Sequence, residues 1–251
     1  MVAARTPDPR VAHEPENVRS RLANPPAESI LGDLMLGGVD GVVTTFAVIA
    51  GSAGGRLPAA TIIVLGVANL LADGFSMAAS SYLGTRSRQQ AIERARLDEA
   101  RQIDAFPEGE RREVREIFAH KGLSGDLLDD VVARITADRH VWIDTMMSEE
   151  LRLNDAVVRP LRAATATLGA FVLCGLMPLL PFLLGGKAYP LGVSAALALA
   201  SFFALGAGKG LALSQNWFWS AAITALIGGS AATLAYAVGV MLRGMSVVGG
   251  V

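Results

Sequence analysis

The chain alternates long apolar runs with one charge-dense segment. Five runs are long enough to cross a bilayer, whose ~30 Å hydrocarbon core takes roughly 20 mostly apolar residues per helix. They extend from about Leu31 to Gly54, Ala59 to Leu83, Ala163 to Leu184, Tyr189 to Leu211 and Trp217 to Leu242. Asp33 and Asp40 interrupt the first and Asp73 the second, while the last three contain no carboxylate. The intervening segments 55–58, 185–188 and 214–216 are short, which implies antiparallel neighbours. Pro58 suits the first turn of the helix it precedes. Trp217 and Trp219 open the fifth run, where an aromatic belt places such residues.

The polar segment between the second and third runs has a helical pattern. Thr85–Asp104 contains neither Pro nor Gly, and Phe106-Pro107 breaks it. Glu108–His120 carries Val114, Ile117 and Phe118 at i, i+3, i+4 spacing, and Gly122 ends that helix. Ser124 is expected to cap the next, which bears Leu127, Leu128, Val131, Val132 and Ile135. A last helix is predicted over about His140–Asn154. The pattern predicts an all-α integral membrane protein with five transmembrane helices and a cytoplasmic helical insert between the second and third. Residues 1–30 form a cytosolic, partly disordered lead-in, turning helical near Asn17–Leu22. Spans follow at 31–84, the insert at 85–162, three spans at 163–243 and a tail at 244–251.

Composition sharpens this picture. The chain has 251 residues, of which 52% are hydrophobic and 18% charged, with a net charge of −1. Soluble domains average roughly 25% charged residues, and here the deficit is unevenly spread. Residues 85–162 hold 14 of the 22 basic and 16 of the 23 acidic residues, and no acidic residue follows Asp155. The balanced charge argues against nucleic acid as a partner. Cys174 is the single cysteine, so a disulfide framework or Cys-cluster metal site within one chain is excluded, and its apolar surroundings make it a packing residue. His13, His120 and His140 are scattered. Four Arg and five Pro with no apolar core mark residues 1–30 as something other than a signal peptide. The flanking Lys and Arg place the N-terminus and the 85–162 insert inside and the C-terminus outside.

Candidate chemistry begins with the intramembrane carboxylates, which are costly and therefore functional candidates. Asp33 and Asp40 are seven apart, about 700° of helix, and share a face; a solvated helix start is the alternative for Asp33. Asn69, Asp73 and Met77 fall at i, i+4, i+8 in the second run. A carboxylate, an amide oxygen and a thioether on one stripe suit Fe²⁺ and Mn²⁺ better than Mg²⁺ or Ca²⁺, although Met77 alone reads as packing. Gly37-x-x-x-Gly41 is a small-residue face for close helix approach. In the insert, Glu110, Glu113 and Glu116 recur every third residue, Met146 and Glu150 form an i, i+4 pair, and Asp98 and Glu99 lie earlier. A solvated acidic face, with Arg112 and Arg115 as partners, is the alternative to a metal site there. No nucleophile–base pair or phosphate loop is present, so the protein is expected not to be an enzyme.

Two segments then become recognisable. "DLMLGGVDGVVTTFAVIAG" (Asp33–Gly51) followed by "ANLLADGFSMAASSYL" (Ala68–Leu83) resembles the vacuolar iron transporter family, which includes bacterial and yeast calcium-cross-complementing members. "PEGERREVREIF" (Pro107–Phe118), "WIDTMMSEEL" (Trp142–Leu151) and "GLMPLLPFLL" (Gly175–Leu184) continue the match in order, over roughly 30–243.

The resemblance implies a homodimer with a pore lined by the first span of each subunit. It also implies export of Fe²⁺, and of Mn²⁺, from the cytosol by exchange with protons. Asp33, Asp40 and Met77 match the translocation path, which Asn69 and Asp73 extend. Glu113, Glu116, Met146 and Glu150 match ligands of the cytoplasmic metal-binding domain, to which Glu99 and Glu110 are added. Asn69, Gln102 and Ala105 stand where the plant type has glutamates, and Asp73, one turn after Asn69, is expected to substitute for the missing charge as in bacterial-looking members; a bacterial-type member in the inner (plasma) membrane is the expectation. No cofactor is expected beyond the transported ion, with Zn²⁺ or Co²⁺ as surrogates. The remaining partners are protons and the lipid bilayer. A membrane-anchored metal-binding or sensor protein that moves no ion is the alternative reading.

Overall fold

The computed structural model describes residues 9–23, 29–153, 159–185 and 190–244, and all regular secondary structure among them is helical. In chain order the helices are α1 (Pro9–Ala12), α2 (Pro15–Ala23), α3 (Leu31–Gly54), α4 (Ala59–Ala105), α5 (Pro107–His120), α6 (Gly125–Ala137), α7 (Arg139–Glu149), α8 (Pro160–Leu183), α9 (Pro190–Ala212) and α10 (Trp217–Gly244). Five of them, α3, α4, α8, α9 and α10, are long and apolar enough to cross a membrane. The helix expected near Asn17–Leu22 lies within α2. The expected disorder of the lead-in, the tail after Gly244 and most of the 185–188 connection lie outside the described residues.

The second run and the first helix of the polar segment form a single helix, α4, of 47 residues. Gly84 does not break it. Glycine weakens a helix by only about 1 kcal/mol and keeps its N–H, unlike proline. Phe106, with φ −145°, and Pro107 end it and start α5.

By internal contacts the chain divides into two compact units: Met1–Ser20, Ser29–Gly84 and Arg159–Val251 in one, Arg21–Glu28 and Thr85–Val158 in the other. In the first, α3 packs against α8, α9 and α10. Glycine makes this possible. A Cβ on Gly37 would lie 2.1 Å from the Thr167 carbonyl oxygen, and one on Gly41 would lie 2.3 Å from that of Phe171. The Gly37/Gly41 face is thus an α3–α8 backbone contact, the arrangement small residues permit between membrane helices. Two apolar clusters flank it. One joins Ile49, Ile62, Leu70, Phe171 and Leu179. The other joins Val42, Phe46, Ala198 and Phe202, with Cys174 packed on its edge. Phe203, Trp217, Phe218 and Trp219 form an edge-to-face aromatic chain where α9 turns into α10.

The second unit has its own core of Ile103, Val114, Leu128, Val132, Trp142, Ile143, Met146 and Met147. Gly122 (φ +94°) follows α5 as expected. Two details differ from expectation. Ser124 precedes α6 in extended conformation but its side chain makes no capping hydrogen bond; the side-chain cap belongs to Asp138, which accepts from His140 N and Val141 N at the start of α7. That last helix ends at Glu149 rather than near Asn154. The amides of Glu150 and Leu151 both turn back to Met146 O, Leu153 N reaches Met147 O, and Arg152 adopts φ +53°.

Candidate transport path and metal centre

In the first unit, α3 carries Asp33 and Asp40, while α4 carries Asn69, Asp73 and Met77. All five are half-buried. Asp40 and Asp73 lie close enough for their charges to interact. Thr44, one turn after Asp40, donates its hydroxyl to the Asp40 carbonyl oxygen at 2.9 Å. It accepts from Asn69 Nδ2 at 3.3 Å, tying the two helices together. Nearer the start of α3, Ser81 Oγ donates to Asp33 Oδ1 at 3.4 Å. Met77 packs at the edge of the Ile49–Phe171 cluster. The folded chain therefore brings the predicted α3 and α4 residues onto adjoining helices.

In the second unit the predicted glutamates differ in their surroundings. Glu99 and Glu110 are only 4% and 5% exposed, and each has one buried carboxylate oxygen, Oε2, with no hydrogen-bond partner. Gln102 Nε2 donates to the other oxygen of Glu99 at 3.4 Å. Burial raises Glu110 to about 7, with further repulsion from Glu113, Glu99 and Glu150. Glu99 is raised by burial, then by Glu150, Glu113 and Asp98. Glu150 is raised by partial burial and Glu113. Four carboxylates from α4, α5 and the end of α7 thus share one electrostatic neighbourhood.

Glu116 lines an open hollow with His120, Ser148, Glu149 and Arg152, where Lys121 pairs with Glu149. Glu110, Glu113 and Glu116 are therefore not one uniform face. Met146 is fully buried in the apolar core. The arginines pair elsewhere than the simplest reading of their alternation implies. Arg115 pairs with Asp129. Arg112 donates to the Glu108 carbonyl oxygen and lies over Phe106. No three His, Cys, Asp or Glu side chains converge at ligand distance among the described residues, so ligation by the acidic group requires its side chains to turn inward.

Thr44 and Ser81 are the polar neighbours that the sequence did not assign to the site; Gln102, noted at a plant-type glutamate position, is the partner of Glu99. Thr44 sits four residues from Asp40, a helical spacing that could have flagged it. Ser81 is 48 residues from Asp33 in the chain, and only the fold relates them.

These features define a polytopic α-helical membrane protein with a carboxylate-bearing helix pair and a separate acidic helical unit. The family model described as the VIT family matches residues 31–240. The chain is 33% identical over 221 residues to the vacuolar iron transporter of Toxoplasma gondii, covering 84% of this chain and 73% of that protein. It is 32% identical over 212 residues to vacuolar iron transporter 1 of Arabidopsis thaliana, covering 84% and 85%. Vacuolar iron transporter 2 of Oryza sativa is 30% identical, covering 84% and 86%. The chain belongs to the VIT family.

Proposed function

We propose that this protein is a transporter of divalent metal, Fe²⁺ and by the same donor set Mn²⁺, that exports the ion from the cytosol in exchange for protons. The observation that supports the reading most is the Asn69–Thr44 hydrogen bond, which ties α4, bearing Asp73 and Met77, to α3, bearing Asp33 and Asp40, inside helices apolar enough to span a membrane. A charge at mid-membrane costs about 2.5–3.5 kcal/mol or more, a cost without purpose in a protein that only binds metal outside the bilayer. The relatives point to the metal: each is named a vacuolar iron transporter. Oxygen donors with one thioether fit Fe²⁺ and Mn²⁺. Carboxylates suit proton exchange because protonation and metal ligation compete for the same oxygens.

In this reading the acidic unit captures the ion. Glu99, Glu110, Glu113 and Glu150 are the ligands, the thioether of Met146 becomes available when the core opens, and Glu116 with Glu149 forms an outer acidic approach. The basic flanks support a cytoplasmic N-terminus and insert. The protein acts as a homodimer with α3 of each subunit lining the path, in the plasma membrane of a bacterial host. Purified protein in liposomes is expected to pass Fe²⁺ down a concentration gradient, faster when a proton gradient is directed the opposite way across the membrane. Metal binding with no flux would favour the sensor reading instead.

A further inference from the structure

We propose that Thr44 is a positioning residue that fixes the amide of Asn69 with its oxygen toward the transported cation, making Asn69 a neutral oxygen ligand of the path. The inference rests on the transport reading above and extends it to a residue with no direct ligand role. A threonine hydroxyl has one proton to donate. In Thr44 that proton is committed to the Asp40 carbonyl oxygen at 2.9 Å, one turn back along α3, a common arrangement for threonine in membrane helices. Thr44 Oγ1 can then only accept.

Its partner is Asn69, at 3.3 Å. The two ends of an amide differ in chemistry but not in shape, and the hydrogen-bond network decides which way it faces. An acceptor-only hydroxyl admits the NH₂ end alone. Oδ1 is therefore the end that Thr44 leaves unused, on the helix stripe that continues to Asp73 and Met77 at i+4 and i+8. A flipped amide would turn a donor toward the ion and repel it. Thr44 thus links α3 to α4: held by the Asp40 carbonyl oxygen, it orders the α4 amide and sets the polarity that Asn69 offers.

The test is a double-mutant cycle read in Fe²⁺ flux into liposomes holding purified full-length protein. Thr44→Val keeps shape and removes both hydrogen bonds, Thr44→Ser keeps both, and Asn69→Ala removes the ligand. Thr44→Ala serves if valine fails to fold. Losing the hydrogen bond that orders Asn69 predicts a KM for Fe²⁺ about fivefold higher in Thr44→Val, with kcat little changed. Thr44→Ser restores the wild-type KM. In the Asn69→Ala background, adding Thr44→Val changes nothing further, because the group it orients is gone. An unchanged KM in Thr44→Val, or an equal rise with and without Asn69, overturns the inference while leaving transport intact. Absence of flux in the wild-type protein is a different result and overturns the transport reading together with this one.

Discussion

Glu110 lies 5% exposed with one carboxylate oxygen unpartnered and three acidic neighbours, and its proton is held up to about 7. A folded-state value above the unfolded one means that folding takes up a proton between the two. This contribution is fully present below the ordinary carboxylate range and is lost as pH rises through about 7. The metal-free acidic unit is therefore expected to lose stability between pH 5 and pH 8. Hydrogen exchange of α5 amides in the full chain checks this, and Glu110→Gln should flatten the profile. A divalent cation added at pH 8 should restore protection by replacing the proton. An unaltered pH profile in Glu110→Gln would contradict the assignment of this charge.

Helix α7 owes its start to Asp138, whose Oδ1 accepts from two backbone amides. Asp138→Ala should cost about 1 kcal/mol, read as a lower melting temperature of the acidic unit. The α3–α8 contact offers a sharper test. Gly41→Ala forces a Cβ to within 2.3 Å of a backbone oxygen, an overpacking of about 1–3 kcal/mol. Gly32→Ala on the same helix meets nothing within 4 Å and should be neutral or stabilising by up to about 1 kcal/mol. Thermal unfolding in detergent distinguishes the two.

At this scale the chain was largely legible. Twenty-residue apolar runs and the Phe106-Pro107 break report local free energies that no tertiary contact overrides, so the spans and α5 fall where hydropathy puts them. What hydropathy cannot report is side-chain placement across elements. Spacing put Glu110, Glu113 and Glu116 in one row. In the fold Glu116 lines a hollow shared with Lys121 and Glu149, while Glu99 and Glu150, 11 and 40 residues from Glu110 along the chain, come into the electrostatic range of Glu110 and Glu113. The Asn69–Thr44 bond joins residues 25 apart and left no periodic trace.

Across the whole molecule, capture falls to the acidic unit and passage to the α3–α4 carboxylates under the proposed function. Those roles predict separable kinetic signatures. Replacing Glu99, Glu110 and Glu150 by glutamine should raise the KM for Fe²⁺ and leave a measurable maximal rate, since capture precedes passage. Changing Asp40 should remove turnover at any Fe²⁺ concentration, because an interaction made only during translocation shows itself in kcat. The most direct measurement is Fe²⁺ flux into sealed liposomes carrying the Asp40→Ala protein beside wild type. The expected result is that Asp40→Ala folds, still binds metal through its acidic unit, and passes at least roughly a hundredfold less Fe²⁺, because a ligand essential to the path is lost. Wild-type flux through Asp40→Ala would contradict it.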